Sequence, residues 1–175
     1  MAKKSTNNKK AKKNPVIGII VNINKEKVYS VVADFVEKLR EESFNFFVSD
    51  KVLGCQSKIC EDLKKNELLE EKELYKKSDI IISVGGDGTM LNTTYNARFY
   101  DKPVLGVNIG KLGFLVETSV DQIDKVIKEI KAGRYSIDER MVIAGECIGH
   151  HMETLYAIND IVIDKGGWPK MIEIE

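Results

Sequence analysis

A glycine-rich segment around one acidic residue holds the residues of this 175-residue sequence that are best suited to chemistry. Gly85, Gly86 and Gly88 surround Asp87, and Thr89 follows. Glycines permit positive φ and let a ligand approach the backbone closely, so Gly85, Gly86 and Thr89 are predicted to line a phosphate loop. A carboxylate beside phosphate makes sense if it accepts a proton or helps to hold a metal ion, and Asp87 is the candidate catalytic residue.

The segments on either side of this glycine loop (residues 85–89) predict a strand before it and a helix after it. Residues 80–82 are an uninterrupted apolar run, typical of a strand buried on both faces of a parallel sheet. Residues 91–98 predict a helix, whose N-terminus favours a bound anion. A tight turn after a buried strand is the alternative, but a turn needs at most two glycines and no acid between them.

Residues 85–89 read Gly-Gly-Asp-Gly-Thr, which resembles the signature of a kinase superfamily that contains NAD kinases, diacylglycerol kinases, sphingosine kinases and phosphofructokinases. Residues 103–115, 137–141 and 157–163 resemble three further segments of NAD kinases, in the same order and spacing. The resemblance covers residues 16–175 and is specific to the NAD kinase family within that superfamily.

The resemblance implies transfer of a phosphoryl group from ATP, or another donor, to the 2′-hydroxyl of the adenosine ribose of NAD, giving NADP. It implies ATP, NAD and Mg²⁺ at the site, with no residue assigned as a metal ligand. It also implies that Asp87 accepts the hydroxyl proton and that Asp87 and Gly88 contact the cofactor. A lipid kinase with the same loop and an inactive nucleotide-binding fragment are the alternative functions.

The remaining candidate binding residues also come from the resemblance. Asn92 matches a cofactor-binding position, and Asn159 with Asp160 resembles the pair that holds the ribose and base region of NAD. Asp160 stands where the family more often has Glu, whose side chain is one methylene longer. Lys170 falls at a further binding position, whereas Lys111 either reaches a phosphate or is an exposed loop lysine.

The order of predicted elements indicates an α/β fold, an N-terminal Rossmann-like parallel sheet with flanking helices followed by the start of an antiparallel β domain. Strands are predicted at 15–22, 45–48, 79–82 and 103–108, and helices at 27–43, 59–75, 91–98 and 121–132, the last closed by Gly133. From residue 135 onward, strands follow one another without a helix. We therefore expect a disordered basic tail (1–14), a nucleotide-binding domain (15–133) and an incomplete β domain (134–175) of a longer protein.

Composition limits the classes of partner. The 27 basic and 27 acidic residues cancel, so overall charge gives no reason to expect nucleic acid or a membrane as partner. The lysines of residues 1–14 are interpreted as a solvated tail, with a nucleic-acid arm as the alternative. Three cysteines without Cys-x-x-Cys spacing favour reduced thiols in the cytoplasm. The resemblance further implies a homo-oligomer, a dimer or tetramer, at full length.

Overall fold

The structure, a computed structural model, describes residues 4–5, 14–25, 27–54, 62–110, 113–116, 118–149 and 153–163. The chain divides into two compact units, Met1–Glu139 and Arg140–Glu175. Within the described segments, no helix is both long enough and apolar enough to cross a membrane.

The first unit alternates strands with helices. Its strands are β1 (Lys4–Ser5), β2 (Ile17–Val21), β3 (Phe46–Ser49), β4 (Leu68–Leu69), β5 (Ile80–Gly85), β6 (Val104–Asn108), β7 (Thr118–Ser119) and β8 (Ile137–Asp138). The α-helices whose full ranges are described are α1 (Lys27–Glu41), α2 (Glu71–Lys77), α3 (Asp87–Ala97) and α4 (Ile123–Lys131). Short 3₁₀ helices occupy Asp50–Gly54, Lys65–Glu67 and Val120–Gln122.

Six of these strands form one parallel sheet in the order β4-β3-β2-β5-β6-β7, and β1 pairs antiparallel with β8. From β2 the chain moves outward through β3 to β4, and then returns to place β5 on the other side of β2. The direction of winding therefore reverses between β2 and β5. In open parallel sheets, ligands bind outside the carboxyl ends of the strands at such a reversal.

The two faces of the sheet carry separate apolar cores because successive strand residues point to opposite faces. Ile80 and Ile82 belong to the larger core, which also takes the apolar stripes of α1 and α4. Ile81 belongs to the smaller core with Leu74 of α2 and Ala97 of α3. Every residue of β5 is buried, as its apolar run predicts. The central strand is thus covered on both sides, and its carboxyl end has a fixed position.

The second unit contains one small antiparallel sheet among its described residues. β9 (Ile143–Gly145) pairs with β10 (Leu155–Ala157), with Tyr156 opposite Ala144. The predicted fold class, a parallel sheet with flanking helices followed by antiparallel strands, is confirmed.

The predicted helix at 59–75 is wrong over much of its length. Within residues 63–77, Lys65–Glu67 forms a 3₁₀ turn, Leu68–Leu69 is an edge strand parallel to β3, and Glu71–Lys77 is the α-helical part, while residues 59–61 lie outside the described residues. The helix propensity of the charged residues is overridden because the two leucines hydrogen-bond to the edge of the sheet. The short strand β7 was also not predicted, since two residues carry no readable periodicity.

Candidate active site

The glycine loop connects β5 to α3 at the reversal of the sheet. β5 ends at Gly85, Gly86 is the N-cap in an extended conformation (φ −141°, ψ −168°), and α3 begins at Asp87. The helix thus starts four residues earlier than predicted, and its first turn contains the acid. Gly85, Gly86 and Gly88 all have negative φ. Among the described glycines, only Gly133 and Gly149 have positive φ. The glycines of the loop therefore serve to leave room for neighbouring groups, and not to permit a left-handed backbone conformation.

The space around each glycine differs. A Cβ on Gly85 would lie 2.6 Å from the Thr89 Cβ, so this glycine lets Thr89 pack beneath the loop. A Cβ on Gly88 would meet nothing within 4 Å, and one on Gly86 would meet only the Lys25 Nζ at 3.8 Å. The backbone at Gly86 and Gly88 is therefore open to an approaching group, beside the free N–H groups of the first helical turn.

Asp87 is held by the loop that follows β6. Its Oδ2 accepts the backbone N–H of Phe114 at 2.8 Å, and its Oδ1 accepts the N–H of Leu115 at 3.2 Å. A Cβ on Gly113 would come within 2.5 Å of this carboxyl group, so glycine is required at that position for the carboxylate to fit. Each carboxylate oxygen keeps a further lone pair, and Asp87 is only partly buried. The side chain is fixed in orientation but remains able to accept a proton.

The start of the same loop is anchored to the carboxyl end of β5. Ile109 donates its N–H to the Gly85 carbonyl at 3.0 Å. The Asn108 side chain is 4% exposed, and its Oδ1 accepts the Gly110 N–H at 2.8 Å. Asn108 was not among the predicted site residues, because an asparagine ending a strand is also typical of an ordinary turn. Its position directly opposite Gly85 became visible only with the β5–β6 register.

Buried polar contacts hold α3 against the strand below it. The Thr93 Oγ1 and the Ser83 Oγ share a buried hydrogen bond of 3.0 Å. Tyr75 of α2 donates its hydroxyl to the Thr93 carbonyl at 3.2 Å. Burial raises the pKa of Tyr75, so this hydroxyl stays protonated as a donor. These two contacts, both made by Thr93, fix the middle of α3 relative to β5 and α2.

A lysine from a third segment lies over the glycine loop. Lys25 belongs to the connection between β2 and α1, and its Nζ is 3.8 Å from a Cβ placed on Gly86 and 3.4 Å from one placed on Gly110. Sequence reasoning missed Lys25 because more than fifty residues separate it from the glycine loop. The one signal in the sequence that points to it is its place four residues after the end of a buried strand.

The other predicted site residues fall into three groups. Asn92 is exposed on α3 and accepts hydrogen bonds from the Asn96 amide, but it lies roughly 140° around the helix axis from Asp87. Asn159 and Asp160 lie in the second unit, both exposed, and the Asn159 Nδ2 donates to the Asp160 Oδ1 at 3.1 Å. Lys111 and Lys170 lie outside the described residues.

Comparisons with known proteins agree on one family. The family profile of the ATP-NAD kinase N-terminal domain matches residues 17–135, more than half of the chain. A NAD kinase of Heliobacterium modesticaldum is 32% identical over 163 residues, covering 92% of this chain and 55% of that protein. A NAD kinase of Caldanaerobacter subterraneus subsp. tengcongensis is 33% identical over 161 residues, covering 91% and 55%. The chain therefore spans about half the length of the curated relatives it matches.

A solved structure shows the same fold. The crystal structure of yeast NADH kinase complexed with NADH superposes with a TM-score of 0.64 at 21% identity, covering 83% of this chain and 48% of that one. The parallel sheet, the acid at the start of α3 and the family profile over residues 17–135 agree with one another. The chain belongs to the NAD kinase family.

Proposed function

We propose that this chain carries the catalytic part of a kinase that transfers a phosphoryl group from ATP to the 2′-hydroxyl of the adenosine ribose of NAD, giving NADP. The observation that carries the proposal is the Asp87 carboxylate, fixed by two backbone N–H groups beside the open glycine loop. Family membership supports NAD as the acceptor, whereas nothing in the comparisons favours a lipid acceptor.

Asp87 acts as the proton acceptor in this mechanism. A ribose hydroxyl is a poor nucleophile, so a carboxylate within about 2.6–3.2 Å takes its proton as the oxygen attacks the γ-phosphorus. A new O–P bond forms while the bond between the γ-phosphorus and its bridging oxygen breaks, and ADP leaves with that oxygen. Most of the rate acceleration comes from positioning and charge neutralisation. The backbone N–H groups at the start of α3 supply part of this by donating to the phosphate oxygens.

The glycine loop contains a carboxylate suited to the Mg²⁺ ion that the phosphates of ATP bind. Mg²⁺ in such sites is held by one or two carboxylates together with substrate phosphates. Asp87 is the carboxylate available for this at the loop, and the described residues contain no cluster of three or more acidic, His or Cys side chains that could hold a metal alone. The ion would neutralise charge on the transferring group.

Candidate contacts to NAD are proposed for each unit separately. Gly88 is open to a ligand, and Asn92 is exposed one helical turn farther on, so both suit contacts to the dinucleotide. Asn159 and Asp160 together offer a donor and acceptors, which matches a ribose diol. Lys170 completes the proposed set. Residues 15–133 are proposed as the nucleotide-binding domain and 134–175 as the first strands of the NAD-binding β domain.

Assembly and location complete the proposal. We expect a homo-oligomer, a dimer or tetramer, at full length, which light scattering would test. Cys147 is exposed and has no disulfide partner among the described residues, which supports a reducing compartment such as the cytoplasm.

An assay of NADP formation from NAD and ATP tests the function. Asp87→Asn removes the proton-accepting carboxylate, and we expect kcat to fall by at least about 100-fold. The matched control is Asp101→Asn, since Asp101 is exposed with φ 51° and asparagine tolerates that backbone conformation. The control is expected to retain parental activity.

Three other outcomes would contradict parts of the proposal. Equal activity of Asp87→Asn and the parent would show that another group accepts the proton. Phosphorylation of diacylglycerol without NADP formation would favour a lipid kinase. Nucleotide binding without any transfer would favour an inactive nucleotide-binding module.

A further inference from the structure

We propose that Lys25 is a phosphate-contacting residue of this site, its ammonium group binding the diphosphate of a nucleotide held at the glycine loop. The diphosphate belongs either to ATP or to NAD, and the experiment below separates the two. This inference rests on the proposed function because it adds a residue to the same site.

The topology brings Lys25 to the site. Lys25 follows the carboxyl end of β2, and the glycine loop follows the carboxyl end of β5, which is the neighbour of β2 at the reversal of the sheet. The Gly110 loop follows β6 on the other side of β5. Three loops from adjacent parallel strands therefore meet at one edge, and the Lys25 Nζ lies close to the glycines of the other two.

The backbone of Lys25 is held in place by its own turn. Asn22 donates its N–H to the Val84 carbonyl of β5 at 3.1 Å, which ties the start of the turn to the central strand. The Asn22 side chain accepts the Asn24 N–H at 3.1 Å, and its carbonyl accepts the Lys25 N–H at 3.3 Å. The Lys25 carbonyl accepts the Val28 N–H at 2.9 Å, which begins α1. The ammonium group is therefore presented from an ordered turn.

The charges around Lys25 favour a bound anion. Its Nζ lies near Gly86, where the positive end of the α3 dipole adds to its own charge. Lys25 forms no ion pair with a carboxylate among the described residues, so no described side chain neutralises its charge. The Asp87 oxygens accept N–H groups of the Phe114 loop instead.

A bound diphosphate would neutralise the positive charge of Lys25 and of the α3 N-terminus. Its oxygens can accept from the backbone N–H groups at the start of α3 and from the Lys25 ammonium at the same time. The glycines at 86 and 110 leave the room that this approach needs, since side chains there would fill the space next to the Nζ. Lysine suits the task as a compact point charge with three donors.

Calorimetric titration of the 175-residue chain with pyrophosphate, ATP and NAD tests the inference. Lys25→Met keeps the length of the side chain but removes its charge, and we expect pyrophosphate binding to weaken on the order of ten- to a hundred-fold. Lys25→Arg should recover most of the affinity, because a guanidinium also donates to phosphate. Lys72→Met, which removes an exposed lysine on α2, is the matched control and should bind as the parent does.

The nucleotide titrations identify the source of the diphosphate. A selective loss of ATP affinity in Lys25→Met assigns Lys25 to the phosphoryl donor, and a selective loss of NAD affinity assigns it to the acceptor. Thermal melting of each variant checks folding, and because Lys25 is exposed we expect unfolding midpoints within about 2 °C of the parent.

Equal pyrophosphate affinity of Lys25→Met and Lys72→Met would overturn the inference, as would a parent chain that binds neither pyrophosphate nor nucleotide. The NADP assay keeps the two proposals apart. If the parent forms NADP and Lys25→Met shows unchanged KM for both substrates, the Lys25 contact is wrong and the kinase proposal stands. If Lys25→Met loses phosphate affinity while the parent forms no NADP, the contact stands and the kinase proposal fails.

Discussion

Asp87 depends on a glycine that lies twenty-six positions farther along the chain. The carboxylate accepts the N–H groups of Phe114 and Leu115, and it reaches them only because Gly113 has no side chain. A negative charge at the first turn of α3 is also favoured by the helix dipole. At the scale of single residues, the orientation of the candidate base is therefore set by a contact between two loops.

Gly113→Ala is predicted to displace this carboxylate. The new Cβ would overlap the Asp87 carboxyl group, so we expect a destabilisation of about 1–3 kcal/mol, measured by urea unfolding, together with reduced NADP formation. A double-mutant cycle identifies the cause. In an Asp87→Ala background the overlap is absent, and Gly113→Ala should cost less than half as much. An equal cost in both backgrounds would mean that the strain arises in the loop backbone itself.

Helices α1 and α4 pack on the same face of the sheet and are joined by two surface ion pairs. Lys38 of α1 pairs with Asp124 of α4, and Glu42 pairs with Lys131 at 2.7 Å. The hydrogen bond from Lys38 lowers the pKa of Asp124, and the bond from Lys131 lowers the pKa of Glu42. The bond to Asp124 in turn raises the pKa of Lys38. At the scale of elements, these two ion pairs are therefore expected to weaken when their carboxylates are protonated in acid.

The pH dependence of Asp124→Asn has a definite sign. Because the folded pKa of Asp124 lies below its unfolded value, its stabilising contribution is present above about pH 4 and is lost as pH falls through the folded value. Because the folded pKa of Lys38 is raised, the stabilisation from its ion pair with Asp124 is lost on the alkaline side only as pH rises through that raised pKa. Asp124→Asn should thus melt slightly below the parent at pH 7, with the difference vanishing in acid.

Thermal melting between pH 3 and pH 8 measures this difference. Asp101→Asn is the control, since Asp101 is exposed and forms no ion pair with the described residues, and its melting should follow the parent throughout. A constant offset between Asp124→Asn and the parent at every pH would show that the effect is not electrostatic.

Both apolar cores lie within the first of the two units. Their buried members run from Ile17 to Ile130, and the first unit ends at Glu139. Among the described residues, the members of both cores all belong to the first unit, and Asn159 and Asp160 belong to the second. At the scale of the whole molecule, the residues that fold the parallel sheet and two of the proposed NAD contacts therefore belong to different units.

We predict that a chain of residues 1–139 folds on its own. Circular dichroism should show cooperative melting at a midpoint close to that of the 175-residue chain, because the buried apolar surface of the sheet is retained. Pyrophosphate binding should persist, whereas NAD affinity should fall through loss of the proposed ribose contacts. A broad, uncooperative transition, or a midpoint more than about 10 °C lower, would contradict this prediction.

The parts of the fold that sequence reasoning predicted share a strong local signal. The apolar run at 80–82 predicted the buried strand, and the periodic apolar residues of α1 and α4 predicted helices that the structure confirms. The edge strand at Leu68–Leu69 was missed because two residues carry no period, and its pairing with β3 depends on a distant segment. The same limit applied to Lys25 and Asn108, whose relation to the glycine loop follows from strand order.

The sequence by itself determined the residue types of the site, since Gly-Gly-Asp-Gly-Thr after a buried strand predicts the loop and the acid. The resemblance to the NAD kinase family needed the three further segments at 103–115, 137–141 and 157–163. Tertiary structure alone decided which other groups surround that acid. Strand order placed the loops after β2, β5 and β6 side by side, and the β5–β6 register set Asn108 opposite Gly85. Such neighbours are invisible in a linear pattern because hydrogen bonding between strands, and not distance along the chain, brings them together.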